Sequence, residues 1–317
     1  MKIHLPNSAF LGNIDPFLKS FEPGQPQKLA VSSNKQWISV HPVVLAMVAA
    51  LGLETTNVEF ETLEAKSKHY LERMGLFDIL GIESGIKINK KESAGRFIPL
   101  TQIQDANALT DFITEITPLL HLSPEHAEPI KYIVSELVRN VLEHSESKLG
   151  GIVSAQYHTK SNTIRIGIVD RGVGILEAIR FAHTVEDEKQ AIQLALTPGI
   201  SGTTFKAGGT ELNAGAGLFF IKSIASVNKN FFAMYTGNSL YKLLKQNDKR
   251  IKLRANPFDD RHSFKSDLPF WQGTVVGVDI SLDQHQDFAS LLDLIHDTYI
   301  KTLRERRQKR DKKPRFI

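Results

Sequence analysis

The sequence contains no cysteine. Disulfide bonds, thiol catalysis and zinc sites built on cysteine are therefore excluded. Long apolar runs are missing too: the most apolar segment, VVLAMVAALGL, covers only residues 43–53, whereas a membrane-spanning helix needs about 20 apolar residues. The opening residues, MKIHLPNSAF, lack the charged stretch and apolar run of a secretory signal. We therefore expect a cytoplasmic protein without a membrane span.

Positive charge is concentrated at the end of the chain. Residues 301–317, KTLRERRQKRDKKPRFI, hold nine Lys or Arg and two acidic residues, a net charge of +7. Since the whole chain carries +4, residues 1–300 carry −3, and the basic pI reflects the tail. Such a tail can contact nucleic acid, acidic lipid or an acidic protein, or it can be a solvated helix end. Both interpretations stay open.

Short strand-like and helical runs alternate in the first third of the chain. The strand-like runs are residues 28–33 and 57–64, and the helical runs are residues 41–53 and 67–81. This alternation predicts a small α/β domain over residues 1–90. The polar stretch ESGIKINKKESAGR, residues 83–96, indicates where that domain ends.

The remainder of the chain predicts helices followed by an antiparallel sheet. Helices are expected over residues 106–120, from Ser123 through residue 145 and over residues 218–226. Strands are expected over residues 97–103, 151–158, 162–169, 231–237, 239–244 and 273–282. We therefore predict an α/β fold in which residues 97–283 form a two-layer α/β sandwich. A C-terminal helix and the basic tail follow over residues 284–317.

The stretch SELVRNVLEHS, residues 135–145, places three polar side chains on one line of a predicted helix. Glu136, Asn140 and His144 are spaced four residues apart beside an apolar stripe, so they lie one turn above another. This row is a solvated face, the wall of a site, or a metal site made of these three side chains. The helix alone does not decide among them.

Two glycine-rich motifs follow at element boundaries. VDRGVGI, residues 169–175, places Asp170 at the end of a predicted strand, with Gly172 and Gly174 allowing the backbone to approach a ligand closely. NAGAGLFFIKSIA, residues 213–225, places Gly215 and Gly217 where a helix begins, and free N–H groups there can hold a phosphate. Glycines also serve ordinary turns, so neither motif is specific alone.

Together the motifs E-x-x-x-N at 136–140, D-x-G-x-G at 170–174 and G-x-G-L at 215–218 resemble the N, G1 and G2 boxes of the GHKL (histidine-kinase-like) ATP-binding superfamily. That superfamily includes gyrase, the ninety-kilodalton heat-shock chaperones, histidine kinases and MutL. The resemblance covers about residues 97–282, with Gly273-Thr274 opening the last strand. It implies a Bergerat-type fold that binds ATP and Mg²⁺ beneath a mobile lid between the second and third motifs.

At the base of the nucleotide, the resemblance assigns roles to four residues. Asp170 would accept a hydrogen bond from the adenine amino group, which distinguishes adenine from guanine. Gly172 and Gly174 would let the loop pass near the base and the ribose. Thr274 would support the adenine pocket.

At the phosphates, the resemblance assigns roles to five more. Asn140 would ligate Mg²⁺ through its side-chain oxygen, a hard ligand for a hard cation. Gly215 and Gly217 would hold the phosphates, and Lys206 either reaches the γ-phosphate or is a solvated lysine. Glu136 would orient or deprotonate the water or protein hydroxyl that attacks the γ-phosphate.

The layout is most similar to compact anti-sigma serine kinases. No long helical hairpin with a phosphoacceptor histidine precedes the motifs, and only about 35 residues follow residue 282, too few for the transducer domain of gyrase or MutL. Residues 1–90 resemble STAS domains, the partners of such kinases. Where those carry a phosphorylatable serine, this chain has His41 and Pro42 with Ser39 just outside, so a docking or dimerising surface is the alternative role.

Three functions remain open. The protein is an enzyme that hydrolyses ATP or phosphorylates a protein partner, or a switch whose partner surface responds to bound ATP without turnover. In the third, the tail delivers an ATPase to nucleic acid. Glu136 favours the first, because a pure switch needs no base at that position.

Overall fold

The structure, a computed structural model, describes residues 1–35, 37–61, 63–86, 97–120, 123–200, 217–246, 253–282 and 288–311. Its strands are β1 (Lys2–Leu5), β2 (Ser8–Ala9), β3 (Lys28–Ser33), β4 (Ser39–Val40), β5 (Asn57–Phe60), β6 (Phe97–Ile103), β7 (Gly151–His158), β8 (Thr163–Val169), β9 (Phe232–Gly237), β10 (Ser239–Leu243), β11 (His262–Lys265) and β12 (Trp271–Ser281). Its helices are α1 (Asp15–Lys19), α2 (Pro42–Leu53), α3 (Ala65–Arg73), α4 (Leu76–Ile79), α5 (Ala106–Leu120), α6 (Pro124–His144), α7 (Gly174–Arg180), α8 (Glu188–Ala195), α9 (Gly217–Val227) and α10 (Phe288–Asp311). The expected mixed α/β class is confirmed.

Two expected elements differ from the structure. The single helix expected over residues 67–81 is divided into α3 and α4, because Gly75 between them has a left-handed φ of +75° that ends the first helix. The strand expected over residues 57–64 ends at Phe60, where its pairing with β3 stops.

A seven-stranded antiparallel sheet is the centre of the fold. Its strand order is β11-β10-β9-β12-β8-β7-β6. Successive side chains of a strand point to opposite faces, so alternate residues belong to two different cores. On β8 the residues of one face are Ile164, Ile166 and Ile168, and those of the other are Arg165, Gly167 and Val169. The isoleucine face packs in one apolar cluster with side chains of α5, α6, α9 and α10.

The opposite face of the sheet is covered by the N-terminal part of the chain. Helix α2 is buried from Pro42 to Gly52 and packs on β7 and β8. Apolar side chains of the first 82 residues share one cluster with Tyr235, Trp271 and Val275 of the sheet. The two stretches of chain that the sequence separates at residues 83–96 thus share one core. Among the residues described, no helix has both the length and the apolar character that crossing a bilayer requires.

Two glycines of the sheet let N-terminal residues approach its backbone closely. Gly167 of β8 and Gly277 of β12 are directly opposite each other in the ladder, on the face that α2 covers. A Cβ atom at Gly167 would lie 2.3 Å from the Cα and N atoms of Val43 in the first turn of α2. At Gly277 it would lie 2.6 Å from a methyl carbon of Leu11. A glycine inside a strand often marks such a close approach.

The start of α2 is fixed by a buried polar cluster. His41 caps the helix, since its Nδ1 accepts a hydrogen bond of 3.1 Å from the N–H of Val43. Its Nε2 lies 3.2 Å from Oδ1 of Asp279, which is directly opposite Arg165 in the ladder. Burial lowers the pKa of His41, although the Asp279 carboxylate opposes this. A neutral ring keeps Nδ1 available as the acceptor for the N–H of Val43.

We predict that Gly167→Ala lowers the free energy of unfolding by about 1–3 kcal/mol, because its methyl group would overlap backbone atoms that cannot move independently of α2. Gly151→Ala is the matched control, since the heavy atoms nearest to a Cβ atom at that strand residue belong to Val141, the closest at 3.7 Å. Urea denaturation of both variants measures the difference. Equal unfolding midpoints for the two would contradict this packing of α2.

Candidate functional site

Asp170 is a buried carboxylic acid at the carboxyl end of β8. Its side chain accepts a hydrogen bond of 2.8 Å from the N–H of Gly172, and its own N–H donates to the carbonyl of Thr274 in the neighbouring strand at 2.9 Å. Only 3% of the residue is exposed. Burial raises its pKa to about 6, and hydrogen bonds from Gly172 and Thr274 limit the rise. At neutral pH the group is therefore ionised, held by the donors around it.

The loop after Asp170 packs against the end of α6. The N–H of Val173 donates a hydrogen bond of 2.7 Å to the carbonyl of Ser145, the residue that caps α6. A Cβ atom at Gly172 would lie 1.9 Å from that same carbonyl oxygen. Only glycine fits at residue 172. The contact fixes α6 relative to the Asp170 carboxylate.

Two further glycines and a threonine shape the other side of this loop. Gly174 has a φ of +79°, and Gly273, at +96°, lies so close that a Cβ atom would be 2.3 Å from the carbonyl oxygen of Asp170. Thr236 of β9 donates to the carbonyl of Gly273 at 2.8 Å and accepts from the N–H of Ile175 at 3.2 Å. Thr236 is not recognisable from the sequence, because a threonine in a strand is ordinary and only the fold places it here.

The first residue of α9 lies against the polar row of α6. A Cβ atom at Gly217 would be 2.6 Å from Oε2 of Glu136 and 3.7 Å from Nδ2 of Asn140. Three residues from two sequence motifs 77 or more positions apart thus meet at one point. Lys206 and Gly215, the other residues expected near the phosphates, lie outside the described residues.

Glu136 and Asn140 have the chemistry of a polar site rather than of a solvated face. The side chain of Glu136 is 27% exposed, and burial raises its pKa although Arg139, with Nη1 at 3.8 Å, opposes this. A carboxylate with a raised pKa is a better proton acceptor. Within the described ranges Nδ2 of Asn140 is buried without a hydrogen-bond partner. Native proteins rarely leave a buried amide unpaired.

His144 does not join this pair. Its Nε2 lies 3.8 Å from Glu143 on the same helix, and its Nδ1 is buried with no partner among the described residues. The part of the chain that the structure describes contains no group of three or more His, Asp or Glu side chains that could hold a metal ion. The alternative of a metal site built from Glu136, Asn140 and His144 gains no support.

Arg171, within the Asp170 loop, is a second residue that the sequence analysis missed. Its Nε donates to Oε2 of Glu54 at 2.8 Å, and its guanidinium carbon lies 4.7 Å above the ring centre of Trp271. The indole N–H of Trp271 in turn donates to the carbonyl of Asp170 at 3.3 Å. No spacing in the sequence connects Arg171 with a residue 117 positions earlier.

We predict that Asp170→Asn makes the ligand-free protein more stable at pH 7.5, by up to about 3 kcal/mol at 1.36 kcal/mol per pKa unit. The folded pKa of about 6 exceeds the usual 3.8, so ionisation disfavours the folded state. Between about pH 4 and 6 the folded state binds more protons than the unfolded state. The wild type therefore loses stability as the pH rises from about 4 through 6. Asparagine keeps the acceptor for Gly172 and removes this loss.

Urea denaturation of wild type and Asp170→Asn at pH 4 to 7.5 measures the effect, because all other titrating groups are common to both proteins. The advantage of the variant should shrink as the pH falls towards 4. Two results would show that ionisation of Asp170 does not destabilise the folded protein. One is an Asp170→Asn variant that is less stable than the wild type at pH 7.5, and the other is a difference in unfolding free energy that does not change with pH.

Comparison with known proteins assigns no family to this chain. No protein-family model matches the chain, and a search of curated proteins finds no match. What the site can do therefore follows from its own chemistry. It holds a buried carboxylate, Asp170, in the loop that contacts Ser145 at the end of α6. Glu136 and Asn140, nine and five residues before Ser145, face the first residue of α9.

Proposed function

We propose that the protein binds Mg·ATP in a Bergerat-type site of the GHKL class and either hydrolyses it or transfers its γ-phosphate to a protein hydroxyl. The observation that carries this proposal is the contact of Gly217 with Glu136 and Asn140, on the helix whose other end holds the Asp170 loop. From Glu136 to Ser145 the helix rises about 13 Å at 1.5 Å per residue. That length suits a nucleoside triphosphate lying along α6.

At the base end, Asp170 selects adenine. Its ionised carboxylate accepts a hydrogen bond and donates none, so it pairs with the amino group of adenine and repels the carbonyl oxygen that guanine has at that position. The resemblance places Gly172 and Gly174 near the base and the ribose. Burial strengthens the discrimination, because a charged acceptor facing a second acceptor in a low dielectric is strongly unfavourable.

At the phosphate end, α9 and α6 supply complementary groups. A helix N-terminus presents N–H groups and a partial positive charge that favour an anion, and α9 begins at this end of the site with Gly217. Asn140, whose Nδ2 has no hydrogen-bond partner among the described residues, would ligate Mg²⁺ once rotation of the amide turns its oxygen towards the site. Glu136 beside it would orient or deprotonate the attacking hydroxyl or water, and the resemblance places Lys206 and Gly215 at the same phosphates.

The partners remain predictions. Residues 301–311, the described part of the basic tail, continue α10 beyond Tyr299, whose ring packs 6.1 Å from that of Phe220 on α9. From that position the tail can contact nucleic acid. A protein partner and a homodimer are also compatible with it. STAS-like docking through residues 1–90 also stays a prediction, and the helix α2 that such a domain would present is buried on the sheet here.

We predict that Asp170→Asn abolishes ATP binding, whereas Glu136→Ala still binds ATP but loses phosphate release or transfer by a factor of about 10²–10⁴, the usual contribution of a general base. Glu128→Ala is the matched control, because Glu128 is an exposed glutamate two turns earlier on α6. Equilibrium binding and γ-labelled ATP with Mg²⁺ give the two measurements separately.

Three outcomes decide among the functions. Normal ATP binding by Asp170→Asn would overturn the proposed site. Binding by the wild type with the γ-phosphate left in place, also after possible protein substrates are added, would favour the switch without turnover. Equal turnover by Glu136→Ala and Glu128→Ala would remove Glu136 from the chemistry.

A further inference from the structure

The Arg171 side chain is held in place on three sides. Its Nε donates to Oε2 of Glu54 at 2.8 Å, and its Nη1 donates to the carbonyl of Gln272 at 3.1 Å. Its planar group covers the ring of Trp271, with 4.7 Å between the guanidinium carbon and the ring centre. The side chain is only 12% exposed. An arginine fixed in this way is a part of the structure rather than a surface charge.

The same neighbours hold the backbone on both sides of Arg171. Trp271 donates its indole N–H to the carbonyl of Asp170, and the side-chain amide of Gln272 donates to the carbonyl of Gly172. Arg171 in turn covers Trp271 and binds the backbone of Gln272. The orientation of the Asp170 carboxylate and of the Gly172 N–H thus depends on a network in which Arg171 is the central cation.

Glu54 lies at the C-terminal end of α2, where its negative charge does not stabilise the helix. It is the C-cap residue of α2, and a negative charge at a helix C-terminus opposes the helix dipole. The Arg171 guanidinium offsets that cost. At its other end α2 is seated on the sheet through Val43 and His41. The helix is therefore a rigid connection that ends at the loop of Asp170.

We propose that Glu54 and Arg171 are a positioning pair through which α2 and the N-terminal residues around it set the affinity of the site for the nucleotide. The pair touches no nucleotide atom itself; Glu54 orients Arg171, and Arg171 orients the loop that carries Asp170. A change in the N-terminal layer that withdraws Glu54 lowers nucleotide affinity without touching the site. This inference rests on the function proposed above.

The test compares two ion pairs between the N-terminal layer and the sheet. Glu54→Gln breaks the pair with Arg171, and Asp15→Asn breaks the pairs with Lys242 and Lys265 at a place remote from Asp170. Equilibrium binding of Mg·ATP to the full chain is expected to weaken about tenfold for Glu54→Gln, within the usual range of coupling between sites. Asp15→Asn should bind like the wild type. Urea denaturation of both variants shows whether they are folded.

A double-mutant cycle separates positioning from a general loss of structure. If the pair acts as one unit, Glu54→Gln has no further effect on affinity in a protein that already carries Arg171→Gln. Equal affinities of Glu54→Gln and Asp15→Asn, or a full effect of Glu54→Gln in the Arg171→Gln background, would overturn the proposal while leaving ATP binding intact. Failure of the wild type to bind Mg·ATP would overturn the proposed function and this proposal together.

Discussion

A single charge in a low dielectric governs the architecture around the site. The Asp170 carboxylate is buried, so it must find hydrogen-bond donors within the protein, and the N–H of Gly172 and Thr274 of the next strand supply them. The backbone around this carboxylate is also tightly packed. A Cβ atom at Gly172 would lie 1.9 Å from the carbonyl oxygen of Ser145, and one at Gly273 would lie 2.3 Å from that of Asp170, so both residues must lack a side chain.

The two faces of the central sheet are coupled through this same loop. One face holds α6 and α9, whose contact at Gly217 and Glu136 forms the polar site, and the other holds α2. Arg171 lies between the two, because its backbone belongs to the site and its side chain reaches Glu54. Residues 1–82 are therefore a layer of the fold that ends at the site, and their placement bears on its geometry.

The sequence predicted the local elements far better than it predicted which elements pack or pair with one another. The bounds of β6, β7 and α5 are those expected, because period and turn signals are local. The uniformly apolar α2 could be read as buried, but nothing in it shows which surface buries it. The opposition of Gly167 and Gly277 depends on strand register, which is set by pairing across more than a hundred residues.

Local spacing in the sequence singles out the motif residues Glu136, Asn140 and Asp170 as candidates. It does not single out Thr236 or the pair formed by Glu54 and Arg171, since no short spacing connects them. The account is tested most directly by hydrogen exchange of the full chain with Mg·ATP or Mg·GTP. It predicts that Mg·ATP slows exchange in peptides covering residues 136–144, 170–175 and 217–222, and that Mg·GTP at the same concentration does not. Equal protection by both nucleotides would contradict the selection of adenine by Asp170, and protection confined to α10 would contradict a nucleotide site at Asp170 and Glu136.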